Sequence, residues 1–158
     1  SRAELDKLLL YLHGRDHLTE DDIDAVLSDV SALALDAVVD AAFRGALADA
    51  DHAVRRLLAE GVHGSVVLGA LLRHALTLLP LRADVDRGQT VESALEGWRG
   101  LHFRRRPAVT AALRAWTGPR LLTAVRRLDE ALLGSRRDAE LAGVLTARTV
   151  MQLALQAR

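Results

Sequence analysis

The chain has 158 residues with 21 basic and 21 acidic side chains; half of it is apolar, yet only 3% is aromatic. Its core must therefore be built from Leu, Ala and Val, and a formal charge of zero argues against a surface coated for non-specific nucleic-acid binding, leaving room only for a local basic patch. Cysteine is absent, which excludes disulfides, thiolate metal sites and cysteine nucleophiles.

The chain starts at Ser1 already in helical pattern, with no signal-peptide pattern, and reads as cut from a longer protein. Residues 3–13 place Leu5, Leu8, Leu9 and Leu12 at helical spacing, and Gly14 ends the run. A second helix is expected over 18–29. Thr19 would cap it by accepting from the Asp22 amide, Glu20, Asp21 and Asp22 sit at the positive end of its dipole, and Ile23, Val26 and Leu27 form its stripe. A third spans 32–44, with Leu35, Val38, Val39, Ala42 and Phe43 inward. A fourth spans 47–60, with Ala50, Val54, Leu57 and Leu58 inward, ending at Gly61.

Residues 65–79 are apolar almost all round, the mark of a central helix touched on several sides. The surrounding stretch 64–81 holds Arg73, His74 and Pro80 and falls short of a membrane span. The pattern resumes after Pro80 up to Gly88, so a bent but continuing helix is expected. Thr90 caps a short helix, VESALEGW. Pro107 suits the first turn of a helix reaching Trp116, and Gly118-Pro119 punctuates. Leu121, Leu122, Val125, Leu128, Leu132 and Leu133 make the next stripe, expected to stop at Gly134. A last helix runs from 138, with Leu141, Leu145, Val150, Leu153 and Leu155 apolar. No stretch alternates with period two, so the fold is all-α with short connections.

Few residues suggest chemistry. His13 and His17 flank a helix-breaking Gly14 and read as loop histidines, not metal ligands. The acidic run from Glu20 to Asp24 lacks the glycine and distal Glu of a calcium loop and reads as a capped helix start. His74 has no recognisable carboxylate or serine partner and reads as a packed or interfacial histidine. Neither GxxxxGK[ST] nor a strand-associated GxGxxG occurs, so catalysis and cofactors have no visible home. Arg104, Arg105 and Arg106 stand apart. Three contiguous guanidiniums are hard to bury, and at a helix start they oppose the dipole. They are a solvated helix start, a partner surface or a nucleic-acid contact.

Over nearly its whole length the chain resembles the C-terminal part of the delta-subunit family of the bacterial DNA polymerase III clamp loader. AELDKLLLYLHGRDHLTEDDIDAVLSD (3–29) is similar to the end of that family's AAA+ lid domain, with a Leu/Tyr run, a glycine turn and T-x-E/D-D-[IV] opening the next helix. Residues 33–88 resemble the first half of its collar. They hold an apolar helix ending near a glycine, an L-L-x-E-G turn (Leu57, Leu58, Glu60, Gly61) and L-L-R-H (Leu71 to His74). HFRRRPAVTAALRAWT (102–117) resembles the family's F-[FK]-[KR]-R segment and its Trp-bearing helix. Two positions depart: Val62-His63-Gly64 stands where Pro is common after the E-G turn, and Glu130 is followed by Arg136-Arg137 where the family is Lys-rich.

The resemblance implies a lid tail over 1–30 and a helical collar, an oligomerisation domain, over 31–158. It implies a non-catalytic scaffold without cofactors that joins other clamp-loader subunits during DNA replication in the cytoplasm. Its parent complex would be a DNA-directed DNA polymerase. The sliding clamp would be met only through an N-terminal domain that this sequence lacks, DNA only indirectly, and a membrane not at all. In this setting Arg104, Arg105 and Arg106 are expected as an exposed polar rim at an assembly surface. A helical nucleic-acid binder using these arginines, and an unrelated helical adaptor, are the alternatives.

Overall fold

The computed structural model describes the backbone of residues 20–158 and side chains from residue 32 onward. The expected helix over 3–13, the Thr19 cap, the His13–His17 pair and the acidic side chains 20–24 lie outside what is described. Among the described residues there are seven α-helices and no strand. They are α1 (Glu20–Phe43), α2 (Leu47–Ala59), α3 (Gly64–Asp86), α4 (Val91–Glu96), α5 (Arg106–Ala115), α6 (Gly118–Arg137) and α7 (Ala142–Gln156), with a 3-10 turn Phe103–Arg105 leading into α5. The all-helical bundle is the architecture that the periodicity dictates.

The two helices expected over 18–29 and 32–44 are one, because SDVSA (28–32) contains neither Gly nor Pro to break the backbone ladder. The domain boundary expected at 30/31 from the resemblance would thus fall inside α1. The C-terminal end of α1 enters the core, where Val38, Val39, Ala41, Ala42 and Phe43 are all buried. It stops at Gly45 (φ 78°), where the Ala46 amide reaches back to the Ala41 carbonyl at 2.9 Å. The L-L-x-E-G turn ends α2 in the same way: Gly61 has φ 89°, and the Val62 amide donates to the Leu57 carbonyl at 3.0 Å. Along α2, Ala50, Val54 and Leu57 face inward at offsets of four and three, and the opposite face carries the Asp51–Arg55 and Arg56–Glu60 pairs.

His63, one of the residues standing where the resembling family favours Pro, has its own local task. Its Nδ1 accepts from the Ser65 amide at 3.1 Å and caps α3. From there α3 runs unbroken through Pro80. The carbonyl that Pro80 deprives of a donor belongs to Leu76, on the exposed side where water can serve it. Contrary to expectation, α3 does reach the length and apolarity of a membrane span, with 23 residues and a mean hydropathy of 1.5 over its most apolar window. Its apolar residues nonetheless belong to the core: Val67, Leu68, Leu71, Ala75, Leu78 and Leu81 are buried, and α1, α4, α5, α6 and α7 all pack on it. The helix most extensively packed against α3 is α6, which also continues past the expected stop at Gly134 to Arg137. Gly134 sits where α6 and α7 pack closely: a Cβ on it would lie 3.1 Å from Leu145 Cδ2. Leu122 and Leu133, expected inward, are about half exposed, as are Leu141 and Leu155 of the last stripe.

Candidate functional site

The basic stretch meets the core at the joint between α1, α3 and α5. His102 caps the 3-10 turn by accepting from the Arg104 amide at 3.2 Å, and Pro107 sits in the first turn of α5. A 3-10 turn advances about three residues per revolution. Arg104 and Arg105 lie in this turn and Arg106 opens α5, so the three side chains leave in different directions and do not act as one patch.

Arg105 turns inward. Its Nε and Nη2 each donate to Asp40 at 2.9 Å, a two-pronged pair, and its Nη1 lies 3.2 Å from Asp36 Oδ1. The Arg105 and Asp40 side chains are only 20% and 14% exposed. The expectation that all three arginines form a solvent-facing rim is thus corrected at Arg105, whose bulk and charge are satisfied within the fold. Asp36 and Asp40 are four residues apart on α1, so both carboxylates face the same side and together receive one guanidinium. The bond to Asp40 raises the Arg105 pKa further, keeping it charged. Burial holds the Asp36 carboxyl above its ordinary value; Arg105 pulls it down, and the neighbouring Asp40 pushes it up.

Beneath this pair lies His74, 6% exposed. Its ring meets Phe43 edge-on at 4.9 Å and Trp98 at 5.8 Å, while Arg105 lies over the Trp98 ring at 5.9 Å. Burial depresses the His74 pKa from 6.5 to about 4, more than the nearby Asp40 raises it, so the imidazole is neutral at physiological pH. Its Nε2 is buried without a hydrogen-bond partner. Phe43 also touches Trp116 at 5.4 Å, and the Trp116 indole N–H donates to the Phe43 carbonyl at 2.8 Å, satisfying a C-terminal carbonyl of α1. The carbonyl end of α5 is closed by two more arginines. Arg82 donates to the Leu113 carbonyl at 2.6 Å, and Arg120, over the Trp116 ring, donates to the Ala115 carbonyl at 3.0 Å.

A cleft of about 240 Å³ opens beside His74, walled by Leu35, Asp36, Val39, Thr77, Trp98 and Arg105 among others. The hydroxyl in it, Thr77, donates to the Arg73 carbonyl, and its base is a neutral, buried imidazole, so no activated nucleophile is assembled there. No group of three or more His, Asp or Glu side chains is poised to hold a metal ion among the described residues. The reading of His74 as a packed histidine fits its burial. What sequence reasoning missed is the set of partners: Asp36, Asp40 and Trp98. One signal was available. Two aspartates four apart inside the apolar run LALDAVVDAAF (33–43) must find a cation when the helix is buried.

Arg104 and Arg106 are exposed, as expected. Arg104 lies over the Phe103 ring at 5.7 Å, and Phe103 is 72% exposed and stacked on His102. Arg106 reaches the Glu92 carbonyl at 3.4 Å. The site thus has two faces: an inner polar joint that fixes α5 to α1, and an outer aromatic–arginine edge.

No family model, curated protein or solved structure matches the chain.

Proposed function

We propose that the chain is the C-terminal scaffold part of a delta-type subunit of a bacterial clamp loader, with the tail of an AAA+ lid over 1–30 and a helical collar over 31–158. The observation that supports it is the convergence of the residues carrying the resemblance. His74 of L-L-R-H lies 31 positions before Arg105 of the F-R-R-R segment and 42 before Trp116 of the following helix. They nonetheless meet at one joint through Phe43 and Trp98. A set of motifs that is individually weak gains weight when its members form one structural unit.

In this reading the domain acts by shape. The polar joint fixes the entry to α5 against the end of α1, so that outer helix faces are presented in a fixed order to neighbouring collars. The 24-residue α1, about 36 Å long, carries the chain across the lid–collar junction as a helix and not as a slack linker. The ATPase cycle belongs to neighbouring subunits, and this domain keeps them in register without binding nucleotide. The test is recovery of the full gene product. An AAA+ domain is expected upstream of Ser1, and the protein is expected to co-purify with the clamp-loader ATPase subunits of its source. A product without that domain, forming no such complex, refutes the assignment.

A further inference from the structure

Resting on that reading, we propose that a groove along the outer face of α5 receives an acidic helix from a neighbouring clamp-loader subunit. The groove, about 480 Å³, is lined by Phe103, Arg106, Pro107, Thr110, Ala111 and Arg114. On α5 itself Pro107, Thr110, Ala111 and Arg114 fall at offsets of 1, 4, 5 and 8 from Arg106, a stripe at helical period, and Phe103 precedes it on the 3-10 turn. Its floor is small (Pro107, Thr110 and Ala111), which lets another helix backbone approach closely. An exposed aromatic anchor, Phe103, stands at one end.

Charge complementarity selects the occupant. No lining residue is acidic, and among the described residues no carboxylate pairs with Arg104 or Arg106. Glu92 pairs with Arg114 at 2.8 Å, but both side chains are about 60% exposed, so a partner carboxylate replaces or joins Glu92 with little loss. Arg106 and Arg114 are eight residues apart, about 12 Å along the axis. A helix laid alongside meets both when its own carboxylates are seven or eight residues apart with small or apolar residues between them. Nucleic acid fits less well. The chain carries no net charge, and Arg105 is withdrawn into the fold, so no contiguous run of free arginines faces outward.

The experiment immobilises the 158-residue chain and measures binding of the purified clamp-loader ATPase subunits by biolayer interferometry. Arg106→Glu/Arg114→Glu is compared with Arg55→Glu/Arg136→Glu, a control with the same charge change elsewhere. The groove variant is expected to bind about tenfold more weakly, or worse, with the control within about twofold of wild type. Circular dichroism checks the fold. The milder Arg106→Ser/Arg114→Ser, expected to lose severalfold, serves if the reversal disturbs it. Wild-type assembly left unchanged by both groove variants overturns the groove and spares the functional reading. Failure of the wild type to bind the subunits overturns both. A fluorescent oligo-dT bound by wild type and released by the groove variants, with assembly unaffected, replaces the acidic helix with nucleic acid.

Discussion

Breaking the Arg105–Asp40 pair tests whether the joint is held electrostatically. Removing one partner of a buried ion pair costs roughly 3–5 kcal/mol, because the other charge is left behind without compensation. Here Arg105 keeps 20% of its side chain in solvent and has Asp36 at 3.2 Å as a second ion-pair partner. Asp40→Ala is therefore expected below that range, at about 2–3 kcal/mol. Arg105→Ala leaves two carboxylates facing each other and should lose a similar amount. Because each single variant destroys the same pair, Asp40→Ala/Arg105→Ala should lose only about 3 kcal/mol and not the sum, a coupling of about 2 kcal/mol. Urea unfolding followed by tryptophan fluorescence reads this directly, since Trp98 and Trp116 both sit at the joint. In thermal melts each single variant should fall by roughly 5–10 °C for a domain of this size. An additive double variant, or singles within about 0.5 kcal/mol of wild type, would refute the reasoning.

His74 makes stability depend on pH. It is neutral in the fold down to about pH 4 but charges in the unfolded chain below 6.5, so its contribution is fully present above pH 6.5 and is lost as pH falls toward 4. The loss is at most about 3 kcal/mol, and the raised Asp36 pKa acts in the opposite direction, as protonation relieves a partly desolvated carboxylate beside Asp40. Between pH 7 and 4.5, His74→Leu should therefore lose less stability than wild type, by about 2 kcal/mol, in urea titrations; equal losses would show that His74 is not held neutral. Gly64→Ala should destabilise by roughly 2–3 kcal/mol, because its Cβ would meet the Thr146 hydroxyl and lie 2.7 Å from the Ala142 carbonyl oxygen, forcing α3 from α7. In the same helix Gly69→Ala, whose Cβ meets nothing within 4 Å, should gain about 0.5–1 kcal/mol, and thermal melts showing the two alike would contradict the packing of α3 on α7.

Periodicity and punctuation made most of the helices legible before any coordinates. Glycines at positive φ mark the ends of α1 and α2, and Thr90 and Pro107 mark helix starts. Several boundaries differ from expectation: the last helix starts at Ala142, not 138, because Asp138 Oδ1 accepts from the Glu140 and Leu141 amides in a turn, and two other differences have clear physical reasons. The junction near residue 30 has no breaker, so helix propagation wins. Gly134 resembles a stop locally but lies inside α6 close against a tertiary neighbour, Leu145, which no local pattern reveals. The site was half legible. An arginine run announces a polar feature, but whether a given arginine points in or out depends on the turn that carries it and on carboxylates 65 and 69 positions away in the chain. The nearest sequence clue was on the other side of the pair, at Asp36 and Asp40.

The most direct test of the scaffold assignment is native mass spectrometry of the 158-residue chain mixed with the clamp-loader ATPase subunits in the absence of nucleotide. The expected result is a defined heteromeric complex containing the chain, unchanged by ATP. Free chain at micromolar concentrations of every component, with no heteromeric species, would contradict it.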